Sequence, residues 1–180
     1  MADVNMKIPA REPRYPVRSS LTLKHDVTLV SVMPHMHGRG RSFELRAIYP
    51  SGSLETLLSV PRYDFNWQTI YYLEKPRLLP KGTRLDLTCV YDNSANNPMN
   101  PNPDVPVYWG AQTWEEMDIA FLDLVMPSGL TPHDLAASTN PPPPPKASDL
   151  GSAQASSSPD PAGSHVGAPA SRRADASSKQ

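Results

Sequence analysis

Proline is the residue type that most restricts the folds open to this chain, which has 22 prolines and 9 glycines in 180 residues. A proline inside a helix removes a backbone hydrogen bond and clashes with the preceding turn, so prolines this frequent exclude an all-α fold. The apolar residues instead alternate with polar ones, for example Phe43, Leu45 and Ala47 around Glu44 and Arg46. A period of two residues is typical of strands with one buried face.

Turn-forming segments divide this pattern into short strands. A stretch rich in asparagine and proline, residues 92–106, is expected to be a long loop without regular structure. The expected strands include residues 21–23, 27–32, 43–49, 65–73 and 85–91, with a last element over residues 112–125. With seven or more such strands in all, the sequence predicts an all-β fold, either an antiparallel β-sandwich or a jelly roll.

Composition divides the chain into three parts. Residues 1–18 are polar and interrupted by prolines, so we expect them to form a leader. All thirteen aromatic residues lie before residue 137, and the folded domain is therefore assigned to residues 19–136. Residues 137–180 contain eight prolines and ten serines and are rich in alanine. They have too little apolar surface to offset the entropy of ordering, which predicts a disordered tail.

The charge balance excludes several classes of function. The chain has 17 basic and 18 acidic residues, a net charge of −1, which gives no electrostatic basis for nucleic-acid or membrane-surface binding. No apolar run approaches the roughly 20 residues that a membrane-spanning helix needs. The N-terminus shows no apolar signal segment, and the single cysteine excludes an internal disulfide. Together these features point to a reducing compartment or to a truncated chain.

The sharpest motif is His35-Met36-His37. In a strand, residues two apart point to the same face, so both imidazoles can serve as ligands of one metal ion. Pro34 before the motif and Gly38 after it mark the end of a strand, where side chains can reach a cleft. A pair of histidines at this spacing is a weak signal by itself, and two surface histidines remain the alternative.

Met117 lies 80 residues beyond His37 and has two interpretations. It can form an apolar core face with Ile119 and Phe121, the usual role of a strand methionine. Alternatively, it can be a thioether ligand, since soft thioether sulfur selects Cu(I) and imidazole suits either oxidation state of copper. Two histidines and a methionine would therefore favour copper over zinc.

The order of three motifs resembles the C-terminal domain of the copper type II, ascorbate-dependent monooxygenases, a family that includes dopamine β-monooxygenase, peptidylglycine α-hydroxylating monooxygenase and many bacterial proteins. The resemblance covers about residues 21–124. The motifs are His-x-His-x-x-Gly at His35, His37 and Gly40, Cys-x-Tyr at Cys89 and Tyr91, and Glu-Glu-Met at Glu115, Glu116 and Met117.

The resemblance implies that His35, His37 and Met117 bind the copper ion at which dioxygen is activated and a C–H bond is hydroxylated, with ascorbate as electron donor. Glu115 and Glu116 have no ligand role in that scheme and are expected at a solvated strand end. Three further residues are expected to form core and turn, with a place in the cleft lining as the alternative: Asp64, Trp67 and Gln68.

Two departures from the family pattern are informative. In the family, the cysteine corresponding to Cys89 pairs with a cysteine directly after the methionine ligand, where this chain has Asp118. Cys89 is therefore expected to be a free, buried thiol. The arginine, asparagine and tyrosine that hold the substrate carboxylate in the peptide-amidating enzymes are replaced by Met33, Ile119 and Phe121. A glycine-extended peptide is therefore not the expected substrate, and the pocket beside the metal is expected to be apolar.

The resemblance also implies a second copper, held by three histidines of a preceding domain, that passes on electrons from ascorbate. The remaining histidines, His25, His133 and His165, are expected on the surface, and 18 leading residues cannot form such a domain. We therefore expect this chain to be incomplete as an enzyme, with the N-terminal copper domain supplied in cis or in trans. The resemblance to this family also implies a periplasmic or extracellular location.

Two other functions remain open. The same three ligands could store, sense or deliver Cu(I) without any oxygen chemistry. The domain could also be a jelly-roll interaction module that has lost its metal and uses its tail as a tether. Copper binding without oxygen consumption would favour the former, and variants of His35 or His37 with unchanged metal content would favour the latter.

Overall fold

Ten strands and one short helix make up the part of the chain that the computed structural model describes, residues 1–139, with side chains described as far as Ala136. These residues belong to a unit spanning Met1–Pro142, and a second unit, Pro143–Gln180, lies outside the described residues. The elements are β1 (Lys7–Ile8), β2 (Tyr15–Leu23), β3 (Val27–His35), β4 (Gly40–Ile48), β5 (Leu54–Val60), β6 (Tyr71–Leu79), β7 (Arg84–Tyr91), β8 (Val107–Tyr108), β9 (Ile119–Val125), α1 (Pro132–Leu135) and β10 (Ala136–Thr139).

The strands form two larger sheets and one small one. The five-stranded sheet has the order β10-β2-β7-β4-β5, the three-stranded sheet β6-β3-β9, and β1 pairs with β8. Neighbouring strands in all three sheets are antiparallel. One hydrophobic core takes side chains from both larger sheets. The predicted all-β antiparallel sandwich is thus confirmed.

Strand β7 shows how the sequence pattern builds this core. Its buried and partly exposed residues alternate strictly, and the buried ones are Leu85, Leu87, Cys89 and Tyr91, each at most 1% exposed. Because β7 lies at the centre of the larger sheet, its apolar face packs on the core while its polar face stays outside. The face predicted from the sequence is the face that is buried.

The N-terminal segment is part of the domain, so the expected leader at residues 1–18 is wrong. Met6 and Ile8 are buried in the core, and Tyr15 and Pro16 pair with β7 as the start of β2. Within the described residues, β10 pairs with β2 only from Ser20 onward, so in this part of the chain Pro16 lies where β2 is an edge strand. A proline without an N–H costs no ladder hydrogen bond at such a position.

Two predicted strands begin later than expected. The segment assigned to residues 65–73 opens with a turn, in which Asp64 Oδ1 accepts a hydrogen bond from the Asn66 N–H at 2.8 Å, and β6 starts only at Tyr71. An Asx turn of this kind competes locally with strand geometry. The last long strand, β9, starts at Ile119 rather than near residue 112. The predicted loop over residues 92–106 is confirmed.

The C-terminal boundary also differs slightly from its prediction. Strand β10 pairs with β2 through Thr139, so the domain continues three residues past its expected end at residue 136. The remainder of the expected disordered tail, residues 140–180, lies outside the described residues, as does His165. Within the described part of the chain, no helix is long and apolar enough to span a membrane.

Candidate metal centre

His35 and His37 lie together where β3 ends. His35 is the last residue of β3, the central strand of the three-stranded sheet, and His37 follows in the connection to β4. Their ring centroids are 5.2 Å apart with an interplanar angle of 87°. His37 is buried at 4% exposure, whereas His35 is half-buried. The structure thus brings both imidazoles together, although His37 lies beyond the strand.

Each imidazole has its Nδ1 atom committed to an oxygen acceptor. Nδ1 of His35 lies 2.6 Å from Oε1 of Gln68, and Nδ1 of His37 lies 3.0 Å from the carbonyl oxygen of Glu115. The other end of the Gln68 amide donates to the carbonyl of Phe65 at 3.0 Å, which identifies Oε1 as the atom facing His35. Because both partners are acceptors, these contacts require the proton on Nδ1 of each ring, and in a neutral ring Nε2 is then the atom that can bind a metal ion.

Burial favours the neutral form of His37. It lowers the pKa of this imidazole; the hydrogen bond to the Glu115 carbonyl acts in the opposite direction, and the neighbouring His35 lowers the pKa further. A neutral imidazole is the form that binds a metal ion. The surroundings of His37 therefore favour the protonation state that a ligand needs.

Met117 lies just before β9, the neighbour of β3. In the antiparallel register, Met33 pairs with Phe121 and His35 pairs with Ile119. The pairing ends there, and the same register continued by two residues would place Met117 opposite His37. Tyr91 Oη donates a hydrogen bond to the Met117 carbonyl at 2.7 Å, which holds this stretch of backbone in place.

The interpretation of Met117, Ile119 and Phe121 as a core face is wrong. Phe121 is 49% exposed and the other two residues are half-buried, and none of the three packs in the hydrophobic core. The alternate face points inward instead, with Glu116 and Asp118 at 0% exposure. The period of two was read correctly, but the apolar residues of this segment face outward, on the side that carries His35.

Glu116 is the clearest correction among the individual residues, because it was expected at a solvated strand end and is fully buried. Its Oε2 accepts the His37 N–H at 2.8 Å, and its Oε1 accepts the Arg39 N–H at 2.7 Å. Burial raises the pKa of Glu116 to about 7, opposed by these N–H donors and by the Arg39 charge. The carboxylate thus replaces the backbone acceptors that are missing where the chain leaves β3. Glu115, in contrast, is half-buried.

Arg39 was not singled out from the sequence, and it is 2% exposed. Its guanidinium lies 4.0 Å from the Glu116 carboxylate and donates to Asn93 Oδ1 and to the Trp114 carbonyl, both at 3.0 Å. Arg39 therefore ties the histidine segment to the loop after β7 and to the segment before Met117. The arginine in the His-x-His-x-x-Gly motif was the only sequence signal for this role.

Aromatic side chains flank the pair of histidines. Phe121 contacts His35 edge-on at a centroid distance of 6.1 Å, and Phe65 contacts His37 in the same way at 6.0 Å. Of the three residues expected to form core and turn, Asp64 forms the turn, Trp67 is 70% exposed rather than in the core, and Gln68 reaches His35.

The predicted free, buried thiol is confirmed at Cys89, which is fully buried and in no disulfide. Burial raises the pKa of Cys89 well above its usual value. Both carboxylate oxygens of Asp118 accept hydrogen bonds from the Asp3 N–H, at 2.9 and 3.1 Å. Burial raises the pKa of Asp118 to about 7. Asp118 thus joins the N-terminal segment to the start of β9.

The donor set fits copper. Among the residues whose side chains the structure describes, no three His, Cys, Asp or Glu side chains come together as a metal site. A thioether with two imidazoles suits copper. The other two histidines of the described part do not join the pair, since His133 is exposed on α1 and His25 lies in the turn between β2 and β3.

Comparison with known proteins agrees with this geometry. The family model for the copper type II ascorbate-dependent monooxygenase, C-terminal domain, matches residues 3–127. A search of curated proteins found no match. The matched span starts within the segment that was expected to be a leader, and it includes β1 to β9 and the histidine pair. The chain belongs to the copper type II ascorbate-dependent monooxygenase family, as a representative of its C-terminal domain.

Proposed function

We propose that His35, His37 and Met117 bind one copper ion, and that the domain is the oxygen-activating part of an ascorbate-dependent monooxygenase that hydroxylates a C–H bond. The observation that carries the proposal is the orientation of the two imidazoles. Both Nδ1 atoms face oxygen acceptors and the ring centroids are 5.2 Å apart, which supports Nε2 of each neutral ring as the atom that would bind the metal. Hydrogen-bonded histidines of this kind are typical of metal sites.

The residues around the site hold these ligands in place. The Glu116 carboxylate fixes the backbone at His37, the Glu115 carbonyl fixes its ring, and the Gln68 amide orients the ring of His35. A bound copper ion would supply the one-electron chemistry that reduces dioxygen. The balanced reaction is R–H + O₂ + ascorbate⁻ + H⁺ → R–OH + H₂O + dehydroascorbate, in which ascorbate supplies two electrons and one proton and the second proton comes from solvent.

The side chains beside the ligands favour an apolar substrate. Met33 and Phe121 pair across β3 and β9, and Ile119 pairs with His35. These three residues stand where the peptide-amidating members hold a substrate carboxylate, and none of them can bind an anion. A substrate that presents a hydrocarbon C–H to the site is therefore proposed, rather than a glycine-extended peptide.

The reaction needs two electrons, whereas a single copper ion cycling between Cu(I) and Cu(II) supplies one. The described residues provide one pair of close histidines, and His25 and His133 lie elsewhere. We therefore include in the proposal a second copper on an N-terminal domain, present in cis or in trans, as the source of the second electron.

Copper content tests the site directly. The full chain is loaded with Cu(I) under reducing conditions and dialysed exhaustively, beside the double variant His35→Ala/His37→Ala and a matched control, His25→Ala/His133→Ala. We expect one copper per chain in the parent and control and none in the test variant. X-ray absorption should show a sulfur neighbour of copper that disappears in Met117→Leu. Equal copper in all variants would overturn the site.

A second experiment tests the reaction. The copper-loaded chain is combined with a second-copper domain, ascorbate and a panel of apolar substrates, and oxygen uptake and ¹⁸O incorporation are measured. The expected result is substrate-dependent oxygen uptake that His35→Ala/His37→Ala abolishes. Retained copper without oxygen uptake would overturn the monooxygenase assignment and favour a Cu(I)-binding module, and absence of copper binding would favour the metal-free interaction domain.

A further inference from the structure

A groove lined by arginines crosses the outer face of the five-stranded sheet, away from the three proposed ligands. Two adjoining clefts of about 600 and 530 Å³ share part of their lining and together form this arginine groove. Its arginines are Arg14, Arg18, Arg41 and Arg62. Volumes of this size are typical of small-molecule sites.

The strand register accounts for the groove. Arg18 of β2 pairs with Thr88 of β7, which pairs with Glu44 of β4, which in turn pairs with Ser59 of β5. These side chains belong to the outward face because their neighbours along each strand, such as Leu87, are buried. Polar and charged groups from four strands are therefore aligned across the sheet.

The four arginines of the groove differ in their partners within the described part of the chain. Among residues 1–139, the guanidinium groups of Arg14, Arg18 and Arg62 make no ion pair and no hydrogen bond, whereas Arg41 pairs with Asp92 at 2.5 Å. Unpaired guanidinium groups on one groove attract anions and match the fork geometry of carboxylate and phosphate.

The carboxylates in the groove do not cancel this charge. Glu44 is already paired with Arg46 at 2.7 Å, and Asp64 accepts the Asn66 N–H at 2.8 Å as part of a turn. Residues 1–136 as a whole contain 13 basic and 15 acidic residues. The groove therefore carries a local excess of positive charge in a domain that is slightly acidic as a whole, and its concave shape concentrates the field.

We propose that the arginine groove binds a small molecule carrying at least two carboxylate or phosphate groups. The arginines would bind the anionic groups, and the hydroxyls of Ser42, Ser59 and Thr88, which also line the groove, would add hydrogen bonds. Pro61 and Val90 give the ligand an apolar surface to rest on. The groove contains none of His35, His37 and Met117, so this proposal does not depend on the copper site.

Two residues in the wall of the arginine groove nevertheless contact Met36 and His37. Its wall includes Tyr63, whose Oη bonds both the N–H and the carbonyl of Met36 at 3.0 and 2.8 Å, and Phe65, which contacts the His37 ring. Binding in the groove should therefore shift the backbone resonances of Met36 and Tyr63 as well as those of the arginines.

The test is an amide NMR titration of the full chain with inorganic phosphate and, separately, with citrate, at constant ionic strength maintained with chloride. We expect saturable shifts confined to the groove and its wall. Arg14→Gln/Arg62→Gln, which changes two exposed side chains, should weaken binding at least tenfold. The matched control is Arg77→Gln/Arg84→Gln, because these arginines are already paired with Glu55 and Asp86. The control should stay within twofold of the parent.

The two titrations distinguish the sources of the anionic group. Saturation by phosphate alone supports a phosphate ester as the ligand, and saturation by citrate alone supports a polycarboxylate. Linear shifts spread over the whole surface, or equal weakening by both double variants, would show general ionic association and overturn the proposal. Melting temperatures of the variants verify that each remains folded.

Discussion

His35 and His37 are only two residues apart, but different parts of the domain hold them in place. His37 is held from inside the domain, by a buried carboxylate on its N–H and a backbone carbonyl on its ring. His35 is half-buried and is held from outside, by the amide of Gln68 in an exposed turn and by the exposed ring of Phe121. One proposed ligand thus depends on the core of the fold and the other on a surface loop.

This difference predicts which substitutions lower the stability of the domain and which alter only its metal binding. Removing a buried polar partner leaves groups that water cannot reach, which destabilises the whole domain. Removing an exposed partner costs little, because water replaces it. Changes around His37 should therefore unfold the protein, whereas changes around His35 should alter metal binding in a folded protein.

The largest effect is expected for Glu116→Ala. The change leaves the N–H groups of His37 and Arg39 without their acceptor and removes the carboxylate that lies 4.0 Å from the buried Arg39 guanidinium. Breaking a buried charge pair from one side costs about 3–5 kcal/mol. Urea unfolding followed by circular dichroism should show a loss of that size. The control is Glu115→Gln, which keeps the backbone carbonyl on His37 and should change the free energy of unfolding by less than about 0.5 kcal/mol. Similar losses of unfolding free energy in both variants would contradict the distinction between the buried contacts of His37 and the exposed contacts of His35.

A smaller loss is expected for Gly40→Ala, because the added Cβ would lie 2.8 Å from Met36 Cβ, 2.9 Å from Tyr63 Cδ1 and 3.2 Å from the His37 carbonyl oxygen. Overpacking of this kind costs about 1–3 kcal/mol, and the relief of the clash moves the backbone at His37. The control, Gly52→Ala, has open space around it but a φ of 84°, so it loses stability through backbone strain alone. Both variants should melt earlier, and only Gly40→Ala should also lose copper retention. Full copper retention in Gly40→Ala would contradict the claim that contacts in the interior of the domain hold His37 in place.

The regular parts of this fold could be predicted from sequence because each strand repeats one signal. In β7 four apolar residues at a period of two all indicate the same buried face, and the loop over residues 92–106 is dense in residues that terminate strands. The histidine pair could be identified for a similar reason, since two like residues at strand spacing share a face.

Other features depend on partners that are distant in sequence. Glu116 is a charged residue whose burial becomes favourable only because two N–H groups 77 and 79 residues away point at it. Gln68 meets His35 across 33 residues from a turn that carries no repeating pattern. Strand β1 has only two residues, so the burial of Ile8 leaves no periodic signal. Hydropathy along the chain does not contain this information.

Gln68→Ala is expected to separate metal affinity from stability. Removing the amide takes the acceptor from His35 Nδ1, so the ring loses its orientation, while the surrounding turn remains exposed. Loss of such a partner typically lowers metal affinity about 10–100-fold, and the free energy of unfolding should fall by less than about 1 kcal/mol. Competition with a Cu(I) chelator measures the affinity. The control is Asn96→Ala, which removes another exposed side-chain amide and should match the parent. A destabilisation as large as that of Glu116→Ala would show that the two supports are not distinct.

The smallest effect concerns the access of reagents to the Cys89 thiol, which we expect Gln68→Ala to leave unchanged. Cys89 is fully buried, and burial raises the pKa of its thiol, so neither reagent access nor thiolate formation is favourable in the folded protein. Alkylation by iodoacetamide at pH 8 should therefore proceed only through opening of the domain. Gln68→Ala should be alkylated as slowly as the parent, and Glu116→Ala much faster, in proportion to its larger open population. Rapid alkylation of Gln68→Ala would mean that the contact between Gln68 and His35 also limits opening of the domain around Cys89.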